Sequence, residues 1–340
     1  MLKYGIGMAV ALGLGLHAAS LRAEEGTAAQ APGFRTLTVA APARGQAIGV
    51  TVWYPAKEGG EPAAFGASPV FTGVTGRRGA AVADGRFPVV LIAHGGLRAN
   101  PGAAGWIAAA LARRGTVAVI AHPPALKPTD ARRAVAEAWL RPGDLSVALD
   151  AVLADPELAP HAAPDRVAAL GFFLGGTSAL AVAGGRLDGE RFRGSCDAPR
   201  RGPDCGWFTA QGVDLHAAAG PEVAASRRDP RVTLAVAVDP ELADSFAPAS
   251  LSPPAVPVHL LHTGPAVKAL KSLIPGVEPE ALPAATPFSL FGTCTPKAAA
   301  ILEEEGEDPA LCRDGDGPPR AALHTRIAER IGTLLDRGRR

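Results

Sequence analysis

The chain has 340 residues, 47% of them hydrophobic and 20% charged, which is ample for a sizeable core and argues against a disordered polymer. Its 34 basic residues are balanced by 33 acidic ones, so no net field draws it to nucleic acid, and no nucleic-acid partner is expected. The 40 glycines and 32 prolines are scattered without a repeat, which excludes collagen-like and solenoid architectures.

The N-terminus carries Lys3, an apolar stretch from Tyr4 to about Ala19, and then small residues before "AEEGTAAQAPG". This is the three-part layout of an export signal over residues 1–23, with cleavage after Ala23 or Ser20; an uncleaved anchor helix is the alternative. Residues 24–33 read as a flexible mature N-terminus and 34–340 as a single domain. The expected location is periplasmic or secreted, with no stable membrane insertion after cleavage. Export places Cys196, Cys205, Cys294 and Cys312 in an oxidising compartment. Local pairing, Cys196 with Cys205 and Cys294 with Cys312, is the simplest of three connectivities, each bridge contributing about 3 kcal/mol. Metal binding by these cysteines is the rival, but no C-x-x-C spacing occurs.

Next, "AIGVTVWYPA" alternates as a strand with Ile48, Val50 and Val52 on one face, and a loop-like region runs from Lys57 to Arg86. "PVVLIAHGG" is a buried strand. "AGWIAAALARRG" follows as a helix with Ile107, Leu111 and Arg114 at helical spacing, stopped by Gly115. "TVAVIAHPP" is a second buried strand, and "GDLSVALDAVL" puts Leu145, Leu149 and Val152 on one helical face. "RVAALGFFLGGTSALAVAGG" supplies a third strand, a sharp turn and a helix. "RVTLAVAVDP" and "PAVPVHLLHTG" are further strands, and the closing "RAALHTRIAERIGTLL" carries an inner stripe of Leu323, Ile327, Ile331 and Leu334. Apolar strands alternating with helices predict an α/β domain, its sheet mostly parallel and covered on both faces.

Ligands of such sheets bind beyond the carboxyl ends of the strands. The residues there include His94 and Gly96 in "HGGL", His122 in "HPP", Asp239 in "DPEL" and His262 in "HTGPAV". Most telling is "ALGFFLGG", where Gly171, Gly175 and Gly176 fit a strand-to-helix turn whose apex is Phe173. These segments, with "LRPGDLSVALDAVL", "PFSLFGTCTP" and "ALCRD", resemble in order the bacterial α/β-hydrolases grouped with platelet-activating-factor acetylhydrolases and dienelactone-hydrolase-like proteins. The resemblance covers nearly all of the chain after the export signal and implies an α/β-hydrolase fold.

In that family the turn is G-x-S-x-G, the serine attacking an ester while a histidine acts as base and a carboxylate orients it. By resemblance Phe173 stands in the nucleophile slot, Pro287 in the histidine slot and Ala266 in the acid slot. None of the three can do the work: a phenyl ring has neither a proton to lose nor a lone pair with which to attack. Neither G-x-S-x-G nor G-x-C-x-G occurs elsewhere, and Thr177 and Ser178 are the nearest hydroxyls. The family's oxyanion-hole amides would come from Gly96 and Leu174, and such backbone donors persist through side-chain change.

Of the other histidines, His259 flanks a strand and His324 lies on the last helix. A metal centre of His94, His122, His262 and Asp239 is the chemical alternative, but no H-x-H or H-E-x-x-H spacing supports it, so neither metal nor cofactor is expected. The reading is therefore a disarmed relative of carboxylic ester hydrolases that binds a partner or a small acyl or lipid-like ligand. The alternative is an active carboxylic ester hydrolase using non-standard residues. Oligomeric state is not legible.

Overall fold

The computed structural model describes residue 1 and residues 31–97, 101–197, 202–264, 268–314 and 317–337. The expected export signal, Met1 apart, lies outside the described residues. Ten strands form one sheet: β1 (Gly33–Ala41), β2 (Gln46–Tyr54), β3 (Glu61–Phe65), β4 (Val74–Arg78), β5 (Phe87–Ala93), β6 (Val117–His122), β7 (Ala162–Phe172), β8 (Val232–Val238), β9 (Val258–His262) and β10 (Glu280–Ala281). Their spatial order is β10-β9-β8-β7-β5-β6-β2-β1-β4-β3. The block from β6 to β10 is parallel, whereas β2 joins β6 and β1 antiparallel.

The pattern of burial explains this order. β5, β8 and the Val167–Phe172 part of β7 are apolar runs buried on both faces, as central parallel strands must be, whereas β1 alternates covered and exposed residues. Helices α1 (Gly105–Arg113), α2 (Glu137–Ala154), α3 (Leu174–Val182), α4 (Pro203–Ala210) and α5 (Arg320–Arg337) follow the alternation. Leu145, Leu149 and Val152 of α2 pack with Leu180 of α3 on one face of the sheet. Ile107 and Leu111 of α1 pack with Leu323, Ile327, Ile331 and Leu334 of α5 on the other. The sheet is thus mixed but mostly parallel, with helices on both faces.

Several elements depart from expectation. Residues 57–86, expected as loop, hold the β3–β4 hairpin; both strands are five residues long and half exposed at the sheet edge, so they show no apolar run. β1 is likewise a strand that was not anticipated. Helix α2 begins at Glu137, ahead of the expected segment, and runs through Pro142, because its first two turns bury charged residues rather than apolar ones. Cys196 is bonded to Cys205 and Cys294 to Cys312, the local pairing.

Candidate functional site

The turn between β7 and α3 is built on close backbone approach. A methyl group placed on Gly171 would lie 1.8 Å from the Gly175 carbonyl oxygen, and one on Gly175 would lie 2.2 Å from that of Ala93. Only glycine fits, which fixes the register of "GFFLGG". At the apex Phe173 is held at φ 56°, ψ −126°, a conformation an L-residue adopts only when its surroundings impose it. The Phe173 N–H donates to the Val238 carbonyl (3.0 Å), and its own carbonyl accepts from Gly176 (2.8 Å) and Glu241 (3.1 Å).

The side chain at this apex is packed away. Phe173 is 8% exposed, stacks on Phe291 (centroids 5.8 Å apart) and meets the His94 ring edge-on at 6.1 Å. Phe172, fully buried, fills the space behind against His94 and Trp106. The neighbouring hydroxyls are consumed inside the fold: Ser178 Oγ donates to the Leu174 carbonyl (3.0 Å), and Thr177 Oγ1 donates to that of Glu241. No hydroxyl of the turn reaches its summit.

The residues expected at the rim are dispersed among separate partners. His94 donates from Nε2 to the Leu290 carbonyl (2.9 Å), and burial pushes its pKa down to about 4. His122 bonds Thr51 Oγ1 through Nε2 (2.8 Å), and burial likewise lowers it to about 4. Asp239, at φ 43°, accepts from the Thr263 amide (3.1 Å) and hydroxyl, and burial raises its carboxyl above the ordinary range. His262 turns Nδ1 to the Gly264 carbonyl (2.8 Å). Among the described residues, no group of three or more His, Cys, Asp or Glu is placed to hold a metal ion.

Pro287 is exposed and opens a one-turn helix (Pro287–Leu290) capped by Thr286; the same segment brings Phe291 onto Phe173. Ala266 lies outside the described residues. Leu174 opens α3, so its amide has no acceptor within the helix.

The Gly96 loop is bonded in a way the sequence did not suggest. Arg141, on α2, donates to the carbonyls of Gly95 (2.9 Å) and Gly96 (3.1 Å). Glu137 holds Arg141 (3.0 Å) and pairs with Arg44 (2.6 Å), which pairs in turn with Asp144 (2.6 Å), all four buried. On the other side of the loop Asp204 Oδ1 accepts the Leu97 N–H at 2.8 Å. The same oxygen sits 2.4 Å from where a Cβ on Gly96 would be. Glu241 lies beside Asp204, and burial together with that neighbouring carboxylate holds its pKa well above the usual range. The readable signal was a run of charges, Glu137, Arg141 and Asp144, in the first turns of a mostly apolar helix.

Compared with solved structures, the chain is similar to a ferulic acid esterase from Streptomyces cinnamoneus, at 18% identity and a TM-score of 0.56, over 93% of this chain and 92% of that one. A dienelactone hydrolase from Anabaena variabilis aligns at 15% identity and a TM-score of 0.48, over 91% and 99%. Neither a protein-family model nor a curated protein matches the chain. The fold is that of the α/β-hydrolases.

Proposed function

We propose that the protein is an exported, non-hydrolytic relative of the carboxylic ester hydrolases akin to platelet-activating-factor acetylhydrolases and dienelactone hydrolases. In this reading it meets a small acyl or lipid-like molecule as a ligand rather than as a substrate. The observation that carries it is Phe173, buried and stacked at the apex where the G-x-S-x-G turn carries its nucleophile. A benzyl group forms no acyl-enzyme. Loss of nucleophile and base costs on the order of a million-fold in turnover, and the oxyanion hole and binding alone retain roughly a thousand- to ten-thousand-fold over water. Pro287 supplies no base, and His94, whose ring meets that of Phe173, spends Nε2 on a carbonyl. Disulfides at Cys196–Cys205 and Cys294–Cys312 support export, because such bridges persist in oxidising compartments.

Fluorophosphonate labelling and 4-nitrophenyl acetate turnover test the reading. The expected result is no stoichiometric label and no turnover above the buffer rate; labelling, or turnover abolished by Phe173→Ala, overturns it in favour of an active esterase. A complementary variant combines Phe173→Ser, Pro287→His and Ala266→Asp, with and without Asp204→Ala. Esterase activity is expected to appear in the combination that includes Asp204→Ala. A folded quadruple variant without activity would refute the assignment of the slots.

A further inference from the structure

A second concavity lies away from the apex, between the β3–β4 hairpin, α1, α5 and the loop at residues 292–293. It is a cleft of about 390 Å³ whose lining includes Trp106, Arg113, Thr75, Thr293, Thr325 and His324. The Leu290 carbonyl separates it from the apex, accepting from Trp106 Nε1 (3.0 Å) on the cleft side and from His94 Nε2 (2.9 Å) on the other.

The cleft is preformed. Trp106 and His324 stack at 4.0 Å with planes 9° apart, and His324 Nε2 donates to the carbonyls of Ser289 (3.1 Å) and Phe291 (3.0 Å). The rim is tied down as well: the Thr72 N–H donates to the Thr293 carbonyl (2.9 Å), Arg320 donates to the Gly292 carbonyl (3.1 Å), and Cys294 is bonded to Cys312. A wall already ordered loses little entropy when a ligand enters.

Its charge is one-sided. Arg113 is the single formally charged residue type in the lining, no carboxylate among the described residues pairs with it, and burial of His324, with a pKa of about 4, keeps that imidazole neutral. A guanidinium with open donors beside an apolar wall calls for a planar oxyanion attached to an apolar body. At roughly 30 Å³ per water, the volume admits about a dozen waters, or one ring bearing a carboxylate.

We infer that this cleft is a ligand site for a small monocarboxylate with a single apolar ring, its carboxylate on Arg113 and its ring against Trp106. The site is independent of whether the apex hydrolyses anything. Benzoate is the probe, titrated into the mature, disulfide-bonded protein by calorimetry, with tryptophan emission as a second readout. One-to-one saturable binding is expected, weakened about tenfold or more in Arg113→Gln. Ala321→Trp, an exposed substitution at the cleft edge, is expected to abolish it. Benzyl alcohol, which has the ring without the charge, and inorganic phosphate, which has charge without a ring, are each expected to compete about tenfold less well. Absence of saturable benzoate binding, binding that survives both variants in folded protein, or phosphate competing as well as benzoate would each overturn the inference.

Discussion

Replacing Phe173 by alanine and by glycine separates two effects that the turn superimposes. The ring is buried against Phe291 and His94, so truncation to alanine is expected to cost about 3 kcal/mol, the low end for a core phenylalanine because the site borders a loop. The backbone at φ 56°, ψ −126° stores strain of about 1–3 kcal/mol for any residue with a Cβ, which alanine keeps and glycine releases. Elsewhere glycine is the less stable choice by roughly 0.5–1 kcal/mol, because it has more freedom to lose on folding. The difference is therefore expected to reverse here, Phe173→Gly being about 1 kcal/mol more stable than Phe173→Ala. Urea unfolding followed by circular dichroism, with disulfides intact and the denaturant slope unchanged, reads it directly. An alanine variant equal to or more stable than the glycine variant would refute the account of a strained turn held by aromatic packing.

Arg141→Met removes the donor that holds the Gly95 and Gly96 carbonyls and leaves the buried Glu137–Arg44–Asp144 group with excess negative charge; a loss of about 3 kcal/mol or more is expected in the same assay. Opening the Cys294–Cys312 bridge by paired serine substitution is expected to cost roughly 2–4 kcal/mol, seen as a lower urea midpoint. Acidification acts through three buried histidines, His94, His122 and His324: each has a folded pKa of about 4, below the unfolded value of 6.5, so the unfolded chain takes up protons first and stability falls as pH drops from about 6.5 to 4. Each contributes about 3 kcal/mol, and His324→Gln is expected to remove about a third of the fall in stability across that window, leaving the part carried by His94 and His122.

The frame of the fold was legible because burial on both faces leaves continuous apolar runs: β5, β7 and β8 announce themselves, as does the Leu323-to-Leu334 stripe of α5. The β3–β4 hairpin was not, since five-residue edge strands with one face in water carry too few apolar positions to show a period. Phe173 was legible for a different reason: the spacing of Gly171 and Gly175 is dictated by backbone contacts that tolerate no side chain. Asp204 and Glu241 were invisible as site residues. Asp204 sits in the first turn of α4 and Glu241 follows β8, so only the folded chain brings them together, and an isolated acid on a short helix looks like ordinary first-turn capping.

That carboxyl pair bears on the proposed loss of hydrolysis. An oxyanion hole works because unpaired amides wait for a negative charge that appears only in the transition state. Here Asp204 lies against the Gly96 loop and takes the amide of Leu97, the residue next to the one from which the family's oxyanion donor would come. The loop is also pinned from behind by Arg141, so it has no room to turn a fresh amide outward without breaking two buried hydrogen bonds. An aromatic stack fills the apex, and an internal acid lies against the loop that carries Gly96. The strained turn then persists because Phe173 packing offsets its cost, and under the proposed reading a serine placed at the apex would have the Asp204 carboxyl group close to the loop expected to supply a donor.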